Sequence, residues 1–367
     1  MDWGQGPEGA RQSDRGGCPE ARGRGLAGQR AMAVAVALAV TLTAAAAAAC
    51  GGDSHRGASG DRALGGDTPR FSTYGWSTDF STHSVPYYEI VPGGPGKDGI
   101  PAVDEPKFIG FAEADEFLVD REPVVALEIA GDPRAYPLQI LIWHEIVNDV
   151  VGGRPVAVTF CPLCNSALVF DRRVAGKVLR FGVSGKLRHS DMVMYDRETQ
   201  SWWQQAEGRA IVGALTGTEL KHLPSWLESW ADFTARHPDG LVMEEPSYNR
   251  DYGRNPYRGY DSSAKPFLYD GAQPPHGIAP LERVVRVGDR AWRLNRLAEE
   301  GEVREAGVTI TWRAGQASAL DAGQIGKGRD VGSIRVRDNA GRDVPHDVMF
   351  AFAFDAFWPN GTWMLGR

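Results

Sequence analysis

The sequence predicts a β-rich α+β fold, with mixed or antiparallel sheets, a few helices and an internal duplication of one β-rich unit. Three observations carry this expectation. Short apolar runs rich in Val, Phe and Tyr recur between Gly, Pro, Asp and Asn, as half-buried strands between turns require. Only two stretches carry both a helix start and a helix stop signal. Two separated blocks also recur in the same order along the chain, the mark of a repeated unit.

In chain order, residues 1–30 are rich in Gly and Arg and read as a leader or an over-long start, so they are set aside from fold reasoning. Residues 31–49, AMAVAVALAVTLTAAAAAA, follow Arg22, Arg24 and Arg30 as an uncharged run that ends in small residues. Cys50 comes next. This layout resembles a bacterial lipoprotein signal, in which the cysteine is lipidated and becomes the new N-terminus. Ala47 stands where that pattern more often has Leu. The expectation is a signal peptide over 31–50, lipidation at Cys50 and the membrane as a partner through that anchor. An uncleaved anchor and plain secretion stay open, and all three readings export the body. Residues 51–70 are rich in Gly, Ser and Asp and read as a flexible tether.

The folded body is read as a first half over 71–265 and a second over 266–367. VVALEIA (124–130), VAVTF (156–160), ALVFD (167–171), KVLRFGV (177–183), MVMYD (192–196) and AIVGAL (210–215) read as strands. PLQILIWHEIVNDVV (137–151) reads as a helix opened by Pro137 and closed by Gly152 and Gly153. A second helix, 225–240, opens on Ser225 and stops at Pro238. GDPRAYPL (131–138) recurs as GDRAWRL (288–294). VAVTFCPLCNSAL (156–168) aligns without gaps on VTITWRAGQASAL (308–320), with five of thirteen positions identical. Arg313 and Gln316 then stand where the first half has Cys161 and Cys164. The cysteines are therefore not needed to fold this turn, and their chemistry belongs to the first half.

The chain holds 40 Lys and Arg against 47 Asp and Glu. Without the first fifty residues, which carry five Arg and four acids, 35 basic residues face 43 acidic ones. No basic run follows residue 50, so nucleic acid is not an expected partner.

Cys18 lies in the leader and Cys50 is assigned to lipidation, so Cys161 and Cys164 are the thiols of the mature body. Outside the cytoplasm they form a disulfide unless a metal or a reductant keeps them otherwise. One reading of CPLC is redox, since two close thiols cycle between dithiol and disulfide. The following SALVFD alternates like a strand, which argues against a thioredoxin-like fold. The other reading is a metal, zinc or copper, with His144 and His189 as further candidate ligands and Met192 and Met194 as soft ones. His144 shares a helix face with Ile140, Leu141 and Val147, and so also reads as a half-buried structural histidine. A third cluster, 181–208, brings Ser184, Lys186, Asp191, Trp202 and Trp203 together. Ser184, Trp202 and Trp203 are ligand-contact candidates for a glycan or peptide. Cys161, Cys164, Lys186 and Asp191 are the catalytic candidates, and Asp and Lys groups could serve a hydrolase. DRET in the same cluster is a hairpin turn capped by Asp196.

WHEIVND, VTFCPLCNSALVFDR, FGVSGKL, SDMVMYDRETQSWWQQ, AIVG, NPYRGYD and the closing AFAFDAFWP together resemble the bacterial and archaeal domain of unknown function 3179 family, over roughly residues 85–358. The resemblance implies no substrate and no catalytic residue. It implies export, because similar proteins often carry export signals or lipoprotein cysteines. The long leader before residue 31 departs from the family.

The function expected is an exported, lipid-anchored protein with a CxxC metal or redox centre, its site lying in the first half around Cys161, Cys164, His144 and the 184–203 segment. The competing reading is a non-catalytic surface module that binds a glycan or peptide and uses the cysteines as a structural disulfide.

Overall fold

The computed structural model of the protein describes residues 67–366. The leader, the 31–50 signal segment with Cys50 and most of the tether lie outside the described residues. Among the described residues no helix is long and apolar enough to cross a membrane. They belong to one compact unit and are 38% strand and 14% helix, so the β-rich expectation holds.

Five small sheets are arranged like the blades of a five-bladed β-propeller. Strands are numbered in chain order. The first sheet runs β16 (Trp226–Ser229), β4 (Pro123–Ile129), β5 (Asp132–Pro137), β17 (Leu241–Met243), β3 (Phe108–Ile109). The second runs β15 (His222–Leu223), β8 (Ser166–Asp171), β7 (Arg154–Cys161), β6 (Ile146–Val151), β2 (Val103–Asp104). The third runs β1 (Ile90–Pro92), β11 (Phe181–Arg188), β12 (Asp191–Asp196), β13 (Trp202–Gln204), β14 (Arg209–Val212). The fourth is β23 (Asp347–Phe350), β18 (Arg283–Val287), β19 (Arg290–Arg293), β24 (Thr362–Met364). The fifth is β20 (Glu302–Glu305), β21 (Val308–Arg313), β22 (Ser333–Asp338). A ribbon of β9 (Arg173–Val174) and β10 (Lys177–Val178) stands apart. The sheets are mixed: β2 with β6, β5 with β17 and β19 with β24 pair in parallel, and the other pairs are antiparallel. Helices are α1 (Phe111–Ala114), α2 (Leu138–His144), α3 (Trp230–Arg236), α4 (Leu294–Glu300) and α5 (Ala351–Phe357).

Four of the five sheets form two matching pairs. The order β4, β5, α2, β6, β7, β8 is repeated as β18, β19, α4, β20, β21, β22. The hydrogen bonds repeat with it. Phe160 N donates to Glu145 O at 2.8 Å, and Trp312 N to Gly301 O at 2.8 Å. Thr159 faces Ile146 across its hairpin, and Thr311 faces Glu302. The match extends to elements absent from the sequence comparison. β16, α3 and β17 correspond to β23, α5 and β24, with β17 parallel to β5 as β24 is to β19. Trp230 N bonds Glu122 O and Ala351 N bonds Glu282 O, both at 2.8 Å. The third sheet belongs to the first half alone.

The structure corrects the sequence reading in several places. The helix expected over 137–151 stops at His144, because Glu145 takes a left-handed backbone (φ 59°). The β-branched run that follows pairs as β6 instead. The helix expected over 225–240 is confined to 230–236, and Ser229 rather than Ser225 caps it by accepting Asp232 N. The run 177–183 is broken between β10 and β11. Ser166–Leu168 opens β8, but Ser318–Leu320 lies between β21 and β22 in no strand, so the SAL match is not structural. The DRET turn is as expected: Asp196 accepts from the Thr199 hydroxyl at 2.9 Å and from Trp203 Nε1 at 2.9 Å.

Candidate metal centre

β7 ends on Cys161, and the turn Pro162–Asn165 carries Cys164 back into β8. Asn165 closes this turn with a left-handed backbone (φ 54°), a conformation that Asn tolerates. On the facing sheet, β11 returns into β12 through His189 and Ser190, both left-handed (φ 49° and 63°). This tight turn delivers Asp191 to the sulfurs. The two sulfurs and one carboxylate oxygen of Asp191 lie within 4.8 Å of one another, and all three residues are buried. Ser190 O is 3.5 Å from Cys164 Sγ and 3.9 Å from Cys161 Sγ. Both thiols are free.

Asp191 is held from one side only. Its Oδ2 accepts from Gln204 Nε2 at 2.6 Å and from Ala206 N at 2.9 Å. Its Oδ1 is buried and accepts from no backbone or amide donor, and the two thiols are the groups that meet the carboxylate. A buried carboxylate oxygen left unpaired costs about 1–3 kcal/mol, so Oδ1 depends on the thiols or on a cation shared with them.

The charges at this point are all of one sign. Burial raises the Cys161 thiol, with Asp191 and Glu145 adding to the shift. It raises Cys164 well above its ordinary value, with Cys161 as the next cause. Burial also lifts Asp191 to about 6 and Glu145 to about 8. Tyr257 and Tyr260, from the NPYRGYD segment, are raised by burial and feel the cysteines as well. Tyr260 Oη donates to Leu163 O, inside the CPLC turn, at 3.0 Å.

The second half fixes the turn that carries the sulfurs. Phe350 N donates to Cys164 O at 2.8 Å. Asn165 Nδ2 donates to Val348 O at 2.8 Å, and Ser166 Oγ to Asp347 Oδ2 at 2.6 Å.

Of the residues singled out in the sequence, Cys161, Cys164 and Asp191 come together. The others do not join them. His144 is buried, and its ring nitrogens meet Pro101 O and Tyr252 Oη, both at 2.7 Å, so neither is free for a metal. His189 Nε2 turns to Glu89 at 3.3 Å. Met192 and Met194 pack in the main core. Lys186 lies over the Phe71 ring, 5.6 Å from its centre, and has no ion pair among the described residues, so it is not beside Asp191. Ser184 is buried, donates to Val193 O and accepts from Lys186 N. Trp202 packs on Phe71 and Trp76, and Trp203 binds Asp196; both rings are fully buried. Neither offers a face to a glycan or peptide. Glu145 was not singled out, although WHEIVND contains it; its left-handed backbone leaves no mark in the sequence.

A family model described as protein of unknown function (DUF3179) matches residues 97–361. The chain belongs to this family. The DUF3179 match takes in Cys161, Cys164, Asp191, the NPYRGYD segment and nearly all of the second half. No curated protein and no solved structure matched the chain.

Proposed function

We propose that this DUF3179 protein is an exported metalloprotein whose Cys161, Cys164 and Asp191 hold a divalent thiophilic metal, zinc in the first place. The observation that carries the reading is the pair of buried sulfurs and a carboxylate oxygen of buried Asp191, all within 4.8 Å of one another. Two thiolates suit zinc or copper(I), and a carboxylate in the same set favours zinc. A divalent cation also reverses the local electrostatics: the burial and like charge that keep protons on the thiols become attraction once the metal displaces them.

The redox reading has less support. A reactive CxxC needs a thiol lowered by a helix N-terminus or a nearby cation. Here the pair sits in a β-hairpin turn and both thiols are raised. Export and lipidation at Cys50 rest on the N-terminal sequence. We also infer that the two matching sheet pairs descend from one duplicated unit, with the third sheet added to the first copy.

The test is the native mass of residues 51–367 made in an export compartment. The expected result is one bound zinc, retained under reductant, and lost in Cys161→Ser and in Asp191→Asn. A metal-free protein that gains two hydrogens on reduction would establish a disulfide instead.

A further inference from the structure

Glu145 holds a position that the fold gives to glycine. It ends α2 in the left-handed region (φ 59°), and its counterpart at the end of α4 is Gly301 (φ 71°), with the same carbonyl accepting the same kind of bond. Glycine adopts this conformation freely, whereas a residue with a Cβ carries strain there. Glu145 is also buried, at 8% exposure, and no hydrogen bond reaches its carboxyl among the described residues. Its carbonyl accepts Phe160 N at 2.8 Å, one residue before Cys161, and its carboxyl acts electrostatically on Cys161 and the Tyr257 hydroxyl, yet it is not one of the three residues gathered within 4.8 Å. A strained acid beside a ligand set, whose carboxyl makes no protein hydrogen bond and is not among the sealed partnerless groups of the described residues, is poorly explained by packing.

Resting on the metal reading, we propose that Glu145 is the substrate-side residue of the centre, hydrogen-bonding the water or substrate atom at the metal's fourth position. Three protein ligands with one open position are the arrangement of zinc sites that act on a bound molecule. Adding Glu145 as a fourth anionic ligand would instead leave a buried site with excess negative charge, which burial opposes.

The test uses the full chain loaded with cobalt(II) as a spectroscopic substitute, in wild type, Glu145→Gly and Glu145→Gln. All three are expected to bind one cobalt with the sulfur charge-transfer band intact. In both variants the ligand-field band shifts, and the affinity for imidazole, used as a probe of the fourth position, changes at least ~5-fold, the worth of one hydrogen bond. Glu145→Gly is expected to melt no lower than wild type. Unchanged ligand-field bands and imidazole affinity would overturn the proposal. So would a lower melting temperature in Glu145→Gly, which would make the residue structural, or loss of cobalt in the variants, which would make it a ligand. A wild type that takes no cobalt is a different failure, that of the metal reading itself.

Discussion

Glu122 shows at the scale of one residue what burial does to an acid with half its partners. Its Oε1 accepts from Gly326 N at 2.9 Å, while its Oε2 is buried without a partner. Burial therefore raises its carboxyl to about 7. A raised acid binds its proton more tightly in the folded state. The stability it contributes is present below its ordinary value of 4.5 and lost as pH rises through about 7. Over that window the loss is roughly 3 kcal/mol. Urea unfolding at pH 5 and pH 8 should show it, and Glu122→Gln should lessen the difference without removing it, since Asp191 and Glu145 are raised into the same window; equal pH dependence in both proteins would refute the assignment. The candidate centre was legible at this scale only in part. Cys161, Cys164 and Asp191 stand out as residue types that carry chemistry. His144 and Trp202 stand out equally, and what removes them is partners from distant segments: Pro101 and Tyr252 for the histidine, Phe71 for the tryptophan. Those partners have no local trace in the sequence.

At the scale of elements, most strands were legible because alternation and turn residues are local. The helix ends were not. Apolar spacing continued past His144 while the backbone had already changed, and β-branched Ile146, Val147, Val150 and Val151 were the signal that a strand had begun. The repeat was legible through GDPRAYPL and GDRAWRL, since both cross a hairpin into a helix. Its second part was missed, although HPDGLVM (237–243) and WPNGTWM (358–364) share Pro, Gly and Met at the same spacing. The shared glycine has a packing reason. A Cβ on Gly240 would meet Phe233 Cζ at 2.8 Å, and one on Gly361 would meet Phe354 Cζ at 2.5 Å. Gly240→Ala and Gly361→Ala should therefore each destabilise the protein by about 1–3 kcal/mol. Gly96→Ala, whose Cβ would meet nothing within 4 Å, serves as the control. Denaturant midpoints that move no further in the first two than in the control would show that the helix-to-strand corner can relax.

At the scale of the whole molecule, the two halves divide the labour. The first supplies every candidate ligand, and the second holds the turn that carries the sulfurs. Phe350 N, Val348 O and the Asp347 carboxylate meet Cys164, Asn165 and Ser166 in succession, and Asp347 also accepts Ala167 N at 3.1 Å. Arg283 reinforces the grip from β18, donating to the buried Asp261 at 2.9 Å at the end of the NPYRGYD segment. Left-handed Asn165 and the paired left-handed residues 189 and 190 keep the sulfurs and Asp191 in register only while both turns are pinned. A metal site needs its ligands placed to within a few tenths of an ångström, and a free hairpin turn does not provide that. Residues 67–265 produced alone, with Cys161, Cys164 and Asp191 all present, are therefore expected to bind zinc at least ~10-fold more weakly than the full chain, the lower end of the cost of losing a supporting shell. In the full chain, Asp347→Ala should produce a smaller loss in the same direction, because it releases Ser166 and Ala167 but leaves the backbone bond to Cys164. Competition against a chelator of known affinity measures both. Equal zinc affinity in the fragment and the full chain would mean that the first half builds its centre unaided, and that the grip of the second half serves the fold rather than the site.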